Sequence, residues 1–206
     1  ETGFRVTGGA LTALSLKLGR LAAEDAVFAF CGSLPPGMTR GDLAGLFGVV
    51  RREGGRLVGD LNGADLRSAI EARAEAITPN VEELGDVLGE DEGAAAEPEL
   101  VEACRRLCDR VETVLLTRGA RGALAVRRDE AFACAVAIPS PRNTVGCGDA
   151  FLAGYLAALW RGDSVTDRLR HAVGCGSANA LTDAAGDIDP AQVAALADRA
   201  DLRPLG

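Results

Sequence analysis

A regular alternation of short strand-like runs with helix-period stretches constrains this chain more than any other feature of its sequence. Residues 26–31 (Ala-Val-Phe-Ala-Phe-Cys) form an unbroken apolar run of the kind a strand buried on both faces presents. Residues 56–61, 74–78 and 111–117 read as further strands. Between them, residues 10–23, 39–52, 64–73, 81–88 and 98–110 read as helices, the first with Leu11, Leu14, Leu18 and Leu21 as its apolar stripe. The acidic, alanine-rich stretch 89–97 is a loop. Strand, helix, strand in this order predicts a parallel sheet covered on both faces. Residues 122–128 with 131–138 predict a β-hairpin or a meander, and the tail is helical over 150–160, 165–181 and 190–201. No repeat or linker interrupts residues 1–206, which read as one domain.

Composition narrows the partners. A net charge of −8 with no basic stripe argues against nucleic acid and anionic membranes. No run approaches the roughly 18 apolar residues of a membrane span, and no signal peptide opens the sequence, so a soluble, cytoplasmic protein is expected. Of the six cysteines, only Cys104 and Cys108 fall at helical i, i+4 spacing, and no second Cys or His pair completes a zinc set. The sole histidine, His171, reads as an ordinary helix position.

In parallel sheets, ligands bind beyond the carboxyl ends of the strands, so the loops that follow strands carry the chemistry. The richest is Asn143-Thr144-Val145-Gly146-Cys147-Gly148-Asp149, which runs into a helix. Gly146 and Gly148 leave the backbone bare where consecutive N–H groups and a helix dipole favour an anion. Asp149 supplies a carboxylate in the first turn, able to take a proton from an attacking hydroxyl. A glycine-containing turn with a helix-favouring aspartate is the structural alternative. Asn80 and Glu83 have the spacing of a capping box, or of a pair that holds Mg²⁺ through water. Thr117-x-Gly119-x-x-Gly122 is a turn into a hairpin, or a clasp for nucleotide phosphates. It lacks the third glycine and following helix of a dinucleotide fingerprint. Gly32-Ser33-Leu34-Pro35-Pro36-Gly37 closes the first strand.

Taken in order, these motifs, with Asp60-Leu61-Asn62-Gly63 at a strand end and Gly154 after the last of them, resemble the phosphofructokinase-B branch of the ribokinase-like sugar kinases, on the side of its 1-phosphofructokinases and tagatose-6-phosphate kinases. The resemblance implies a three-layer α/β/α sandwich with a mostly parallel central sheet. It implies ATP-dependent transfer of a phosphoryl group to a primary hydroxyl of a phosphorylated ketose: fructose 1-phosphate first, then tagatose 6-phosphate or fructose 6-phosphate. By position, Asp149 matches the catalytic base, and Gly146, Cys147 and Gly148 match the anion hole. Asn80, Thr117, Gly119, Gly122 and Asn179 match ATP-binding positions, the last beside the adenine pocket. Ser33 matches a contact to the phosphate already on the sugar, and Glu83 a water-mediated contact to Mg²⁺. ATP, Mg²⁺ and a monovalent cation are the implied cofactors, and a homodimer the implied assembly of a full-length relative.

Three departures stand out. Thr78 replaces the lysine that precedes Pro-Asn in the family, Cys147 stands where alanine is commoner, and Asn143 stands where an acidic or small polar residue is frequent. The sequence also opens around the exit of the family's β-lid, with Glu1-Thr2-Gly3 resembling that exit, so the N-terminal strands and lid are expected to be missing. A non-catalytic or degenerate nucleotide-binding relative is the alternative function.

Overall fold

The computed structural model describes residues 5–23, 26–90, 93 and 95–206. Glu1-Thr2-Gly3, read above as a lid exit, and part of the 89–97 loop lie outside the described residues. By internal contacts the chain divides into two compact units, Glu1–Val114 and Leu115–Gly206.

The first unit holds α1 (Gly8–Leu21), β1 (Val27–Gly32), α2 (Arg40–Arg52), β2 (Arg56–Leu61), α3 (Gly63–Glu71), β3 (Ala76–Ile77), α4 (Val81–Leu88), α5 (Glu97–Leu107) and the start of β4 (Thr113–Thr117). The four strands are parallel, with Val27 opposite Arg56, Val58 opposite Ala76 and Ala76 opposite Thr113. Phe47, Leu66, Ile77, Leu84 and Leu100 are fully buried around them, each worth on the order of 2 kcal/mol of apolar transfer. Thr39, expected inside the second helix, is its N-cap instead: its side chain accepts from the Asp42 N–H while Asp42 accepts from the Thr39 N–H, closing a capping box. A charged hydrogen bond of 2.6 Å from Arg56 Nη2 to Glu75 Oε1 ties the amino end of β2 to the segment leading into β3.

One expectation for this unit fails. Residues 26–31 were expected to be buried on both faces, yet no residue of β1 is buried. Among the described residues β1 pairs with β2 alone, and α1 contributes no buried residue. An edge position leaves an all-apolar strand half covered, a state that the hydropathy of the run cannot reveal.

The second unit holds the rest of β4, a 3₁₀ turn (Gly119–Arg121), β5 (Ala123–Val126), β6 (Ala131–Ala135), α6 (Cys147–Trp160), α7 (Val165–Ala180), α8 (Pro190–Arg199) and β7 (Asp201–Leu205). The hairpin forms as expected, β5 antiparallel to β6. The helical tail does not run to its end: residues 201–205 form β7, antiparallel to β6 with Phe132 opposite Pro204. Pro204 donates nothing to a ladder, which an edge strand tolerates. Strands β1 to β4 pair in parallel and strands β5 to β7 pair antiparallel, each in chain order.

Helices α6 and α7 meet through glycines. A Cβ on Gly154 would come within 2.7 Å of Cys175 Sγ, and one on Gly176 within 3.1 Å of the Cys147 carbonyl. Trp160, at the end of α6, is 86% exposed. Among the described residues no helix is long and apolar enough to cross a membrane.

Candidate active site

In the first unit the carboxyl ends of β2 and β3 lie side by side, since Gly59 is opposite Ile77 and the Thr78 N–H donates to the Gly59 carbonyl at 3.0 Å. That register brings Thr78, nearly buried, against Asp60: its hydroxyl donates to Asp60 Oδ1 at 2.6 Å. The chain turns through Pro79 into α4, where Asn80 and Glu83 form both halves of a capping box. Glu83 N–H donates to Asn80 Oδ1 and Asn80 N–H to Glu83 Oε2, each at 2.9 Å. The structural alternative for this pair is therefore present. It does not exhaust the glutamate, whose second carboxylate oxygen takes no part in the cap. Burial pushes the Glu83 pKa up; the Asn80 N–H opposes this, while the negative charge of Asp60 adds to it. Two carboxylates that feel one another at the end of a parallel sheet suit a hard cation with a retained water shell.

Ser33 lies apart from this cluster, exposed in the loop after β1. The loop closes on the segment before α1: Val6 N–H donates to the Pro36 carbonyl at 2.7 Å. Gly37, at φ +90°, leaves no room for a Cβ beside Val6 O, and the Arg5 side chain runs along the same glycine. Ser33 also edges a cavity of about 420 Å³ lined mostly by apolar side chains such as Leu11, Phe30, Leu34 and Met38.

In the second unit Thr117 ends β4 and leads into a tight connection in which Arg118 N–H donates to the Gly122 carbonyl at 2.8 Å. Gly119 (φ +58°) has open space where a side chain would be. Gly122 (φ +75°) does not, because a Cβ there would collide with the Cys134 carbonyl of β6. Gly122 is thus required by the hairpin itself, and Gly119 is the bare position that faces outward.

The helix-start motif adopts the conformation its glycines suggest. Gly146 is the N-cap of α6 at φ +78°, so the helix begins three residues earlier than its apolar run. Among the described residues no side chain caps this end and nothing lies within 4 Å of a Cβ added at Gly148, and Asp149 sits exposed in the first turn. The Cys147 N–H closes the turn onto the Thr144 carbonyl at 3.4 Å, and the other N–H groups of the first turn lie beside an exposed carboxylate. Upstream, Asn143 Oδ1 accepts from the Val145 N–H at 2.9 Å, and the N–H groups of Arg142 and Asn143 donate to Ala180 O at the end of α7.

Asn179, matched above to the border of an adenine pocket, is fully buried. Its amide is committed to the fold, giving hydrogen bonds to Val145 O and Cys147 Sγ and accepting one from the Gly186 N–H. The structure thus gathers Gly146, Cys147, Gly148, Asp149 and Asn179 into one cluster, and Asn80 and Glu83 into another with Asp60 and Thr78. Ser33 and the Thr117–Gly122 connection each stand on their own loop. Sequence reasoning named Asp60 only within a strand-end motif, with no chemical role, and did not single out Arg5 or the Ala185-Gly186 turn. Only the short polar, glycine-containing stretch 182–187 signalled the last.

Residues 2–192 match the pfkB family of carbohydrate kinases. The chain is 34% identical over 179 residues to a 1-phosphofructokinase of Rhodobacter capsulatus, covering 86% of this chain and 56% of the relative. It is 31% identical over 158 residues to a D-tagatose-1-phosphate kinase of Bacillus licheniformis, covering 76% and 52%. The chain therefore spans about half the length of the curated relatives it matches. Among solved structures, phosphofructokinase-2 of Escherichia coli in complex with potassium superposes with a TM-score of 0.90 at 21% identity, over 96% of this chain and 64% of that one. That likeness fixes the fold as ribokinase-like.

Proposed function

This chain belongs to the pfkB family of carbohydrate kinases, and on that premise we propose that it carries the phosphoryl-donor half of an ATP-dependent kinase for a phosphorylated ketose. The observation that carries the reading is the start of α6, which no side chain caps among the described residues and whose first turn holds the exposed Asp149. Gly146, Cys147 and Gly148 stabilise the charge that spreads over a transferring phosphoryl group. Asp149 takes the proton of the attacking primary hydroxyl. Gly119 leaves backbone open to nucleotide phosphates after Thr117, with Gly122 shaping the turn. Asn80 fixes the start of α4, so that Asp60 and Glu83 would hold Mg²⁺ through its water shell. When bound, that ion neutralises phosphate charge. Ser33, with Arg5 beside the same loop, is assigned to the phosphate already on the sugar.

The relatives named 1-phosphofructokinase and D-tagatose-1-phosphate kinase support a ketose 1-phosphate as acceptor, with fructose 1-phosphate first. Tagatose 6-phosphate and fructose 6-phosphate follow. The potassium complex of the E. coli neighbour is the ground for a monovalent cation. A cytoplasmic setting, and a homodimer for a full-length relative, complete the reading.

Exchanging Asp149→Asn should lower kcat by about 10³-fold while leaving ATP affinity within a few-fold. Coupled ADP release, measured over a panel of ketose phosphates, reads the first quantity and calorimetric titration the second. Full turnover in that variant would remove Asp149 from the chemistry. A second reading, nucleotide binding without turnover, draws on Thr78, which offers Asp60 a hydroxyl where the family carries an ammonium. It predicts ATP binding with no ADP release over the same panel.

A further inference from the structure

We propose that Asn179 is a positioning residue for the anion hole, holding the turn before α6 in the conformation that presents its N–H groups, and that it does not contact the nucleotide base. Its side chain is 0% exposed. Nδ2 donates to Val145 O at 2.9 Å and to Cys147 Sγ at 3.4 Å, and Oδ1 accepts from the Gly186 N–H at 2.7 Å. The amide orientation follows from its partners, since a backbone carbonyl only accepts and a backbone N–H only donates. Both N–H donors of the amide are used, and its oxygen is buried with the rest of the side chain, so a base could take a hydrogen bond from Asn179 only by breaking one of these.

Peptide geometry converts those contacts into function. In a planar trans peptide the carbonyl and the following N–H point in opposite directions. Drawing Val145 O toward buried Asn179 therefore turns the Gly146 N–H away from the protein interior. The next constraint comes from the other loop that Asn179 holds. Through the Gly186 N–H, Asn179 seats Ala185 so closely on Gly146 that an added Cβ there would lie 2.8 Å from the Ala185 Cβ. Gly146 is then pinned in the left-handed region by a hydrogen bond to the residue before it and by a methyl group against its own backbone. One buried amide thus couples the 143–147 turn to the 182–186 loop, and any displacement of the second loop reaches the anion hole.

The kinetic part of the test rests on the kinase reading above, and the exchange part does not. Asn179→Asp keeps the shape and the acceptor for Gly186 but sets a carboxylate oxygen against Val145 O. Asn179→Ser is the smaller companion should the aspartate fail to fold. The variants should lower kcat by about 10²-fold, comparable to the loss of one oxyanion donor. KM for ATP should stay within about twofold and the ATP-to-GTP preference should be unchanged. Amide hydrogen exchange followed by NMR should show Val145 and Cys147, whose N–H groups are bonded within the turn in the parent, exchanging faster, joined by Gly186 in Asn179→Ser, while amides in the middle of α6 keep their protection. A rise in KM for ATP with altered purine preference and retained kcat would restore the base contact and overturn the proposal. So would exchange rates in the two loops indistinguishable from those of the parent. If the parent protein shows no turnover on any ketose phosphate, the kinase reading fails and the exchange comparison still decides the role of Asn179.

Discussion

Asn80 and Glu83 show how one residue pair can satisfy a structural rule and a chemical one together. The capping box was legible from the i, i+3 spacing and is present. The convergence of Asp60 on Glu83 was not legible, because it depends on the register of β2 against β3, and register is a long-range property. The same division separates Gly146 from Asn179. Glycines at a helix start announce bare backbone in sequence, whereas a lone asparagine near the end of a helix says nothing of the carbonyl it will meet 34 residues away. His171 is the titratable position most open to a clean experiment, as it is the only histidine in the chain. Burial lowers its pKa, the charge of Arg161 lowers it further, and Asp163 partly offsets both. The folded protein then binds a proton at this site less readily than the unfolded chain. Stability from His171 is complete above the ordinary imidazole value of 6.5 and is lost progressively as pH falls from there through the lower folded value. Thermal midpoints of the parent and His171→Gln, followed from pH 8 to 5.5, should diverge on acidification with the parent losing more. Carboxylates common to both cancel in that difference.

At the scale of elements, the helices of the second unit depend on the absence of side chains at their crossings. Gly154 faces Cys175, Gly176 faces the Cys147 carbonyl, and Gly174 faces the Val193 carbonyl at 2.9 Å from where its Cβ would be. These approaches set how near α7 comes to the first turn of α6, and so where Asn179 can reach. Gly45, by contrast, lies in the exposed interior of α2 with nothing within 4 Å. Gly154→Ala should destabilise by about 1–2 kcal/mol, overpacking outweighing its helix propensity. Gly45→Ala should stabilise by up to about 1 kcal/mol. Urea titrations of both variants would read the opposite signs. Helices of this kind were legible because period and caps are local. β7 was not: Asp201-Leu202-Arg203-Pro204-Leu205 has no strand propensity of its own and becomes a strand because β6 offers it a ladder.

For the whole molecule, alternation of strand and helix gave the architecture, and the order of the loop motifs gave the family. What composition could not give was the uneven coverage of the sheet. β1 remains half exposed while Ala125, Val126 and Cys134 in the hairpin are almost fully buried. The same unevenness governs the aromatic residues. Tyr155 is 0% exposed in α6, and Trp160, the chain's single tryptophan, stands 86% exposed at the end of the same helix. In optical terms, the indole already emits from water in the native state. Its emission maximum should match that of free tryptophan and hardly move in denaturant, so folding is followed by circular dichroism and not by the red shift that usually reports it. An indole so placed stays dark to unfolding and bright to contact: a blue shift at Trp160 would report a partner seated on the end of α6.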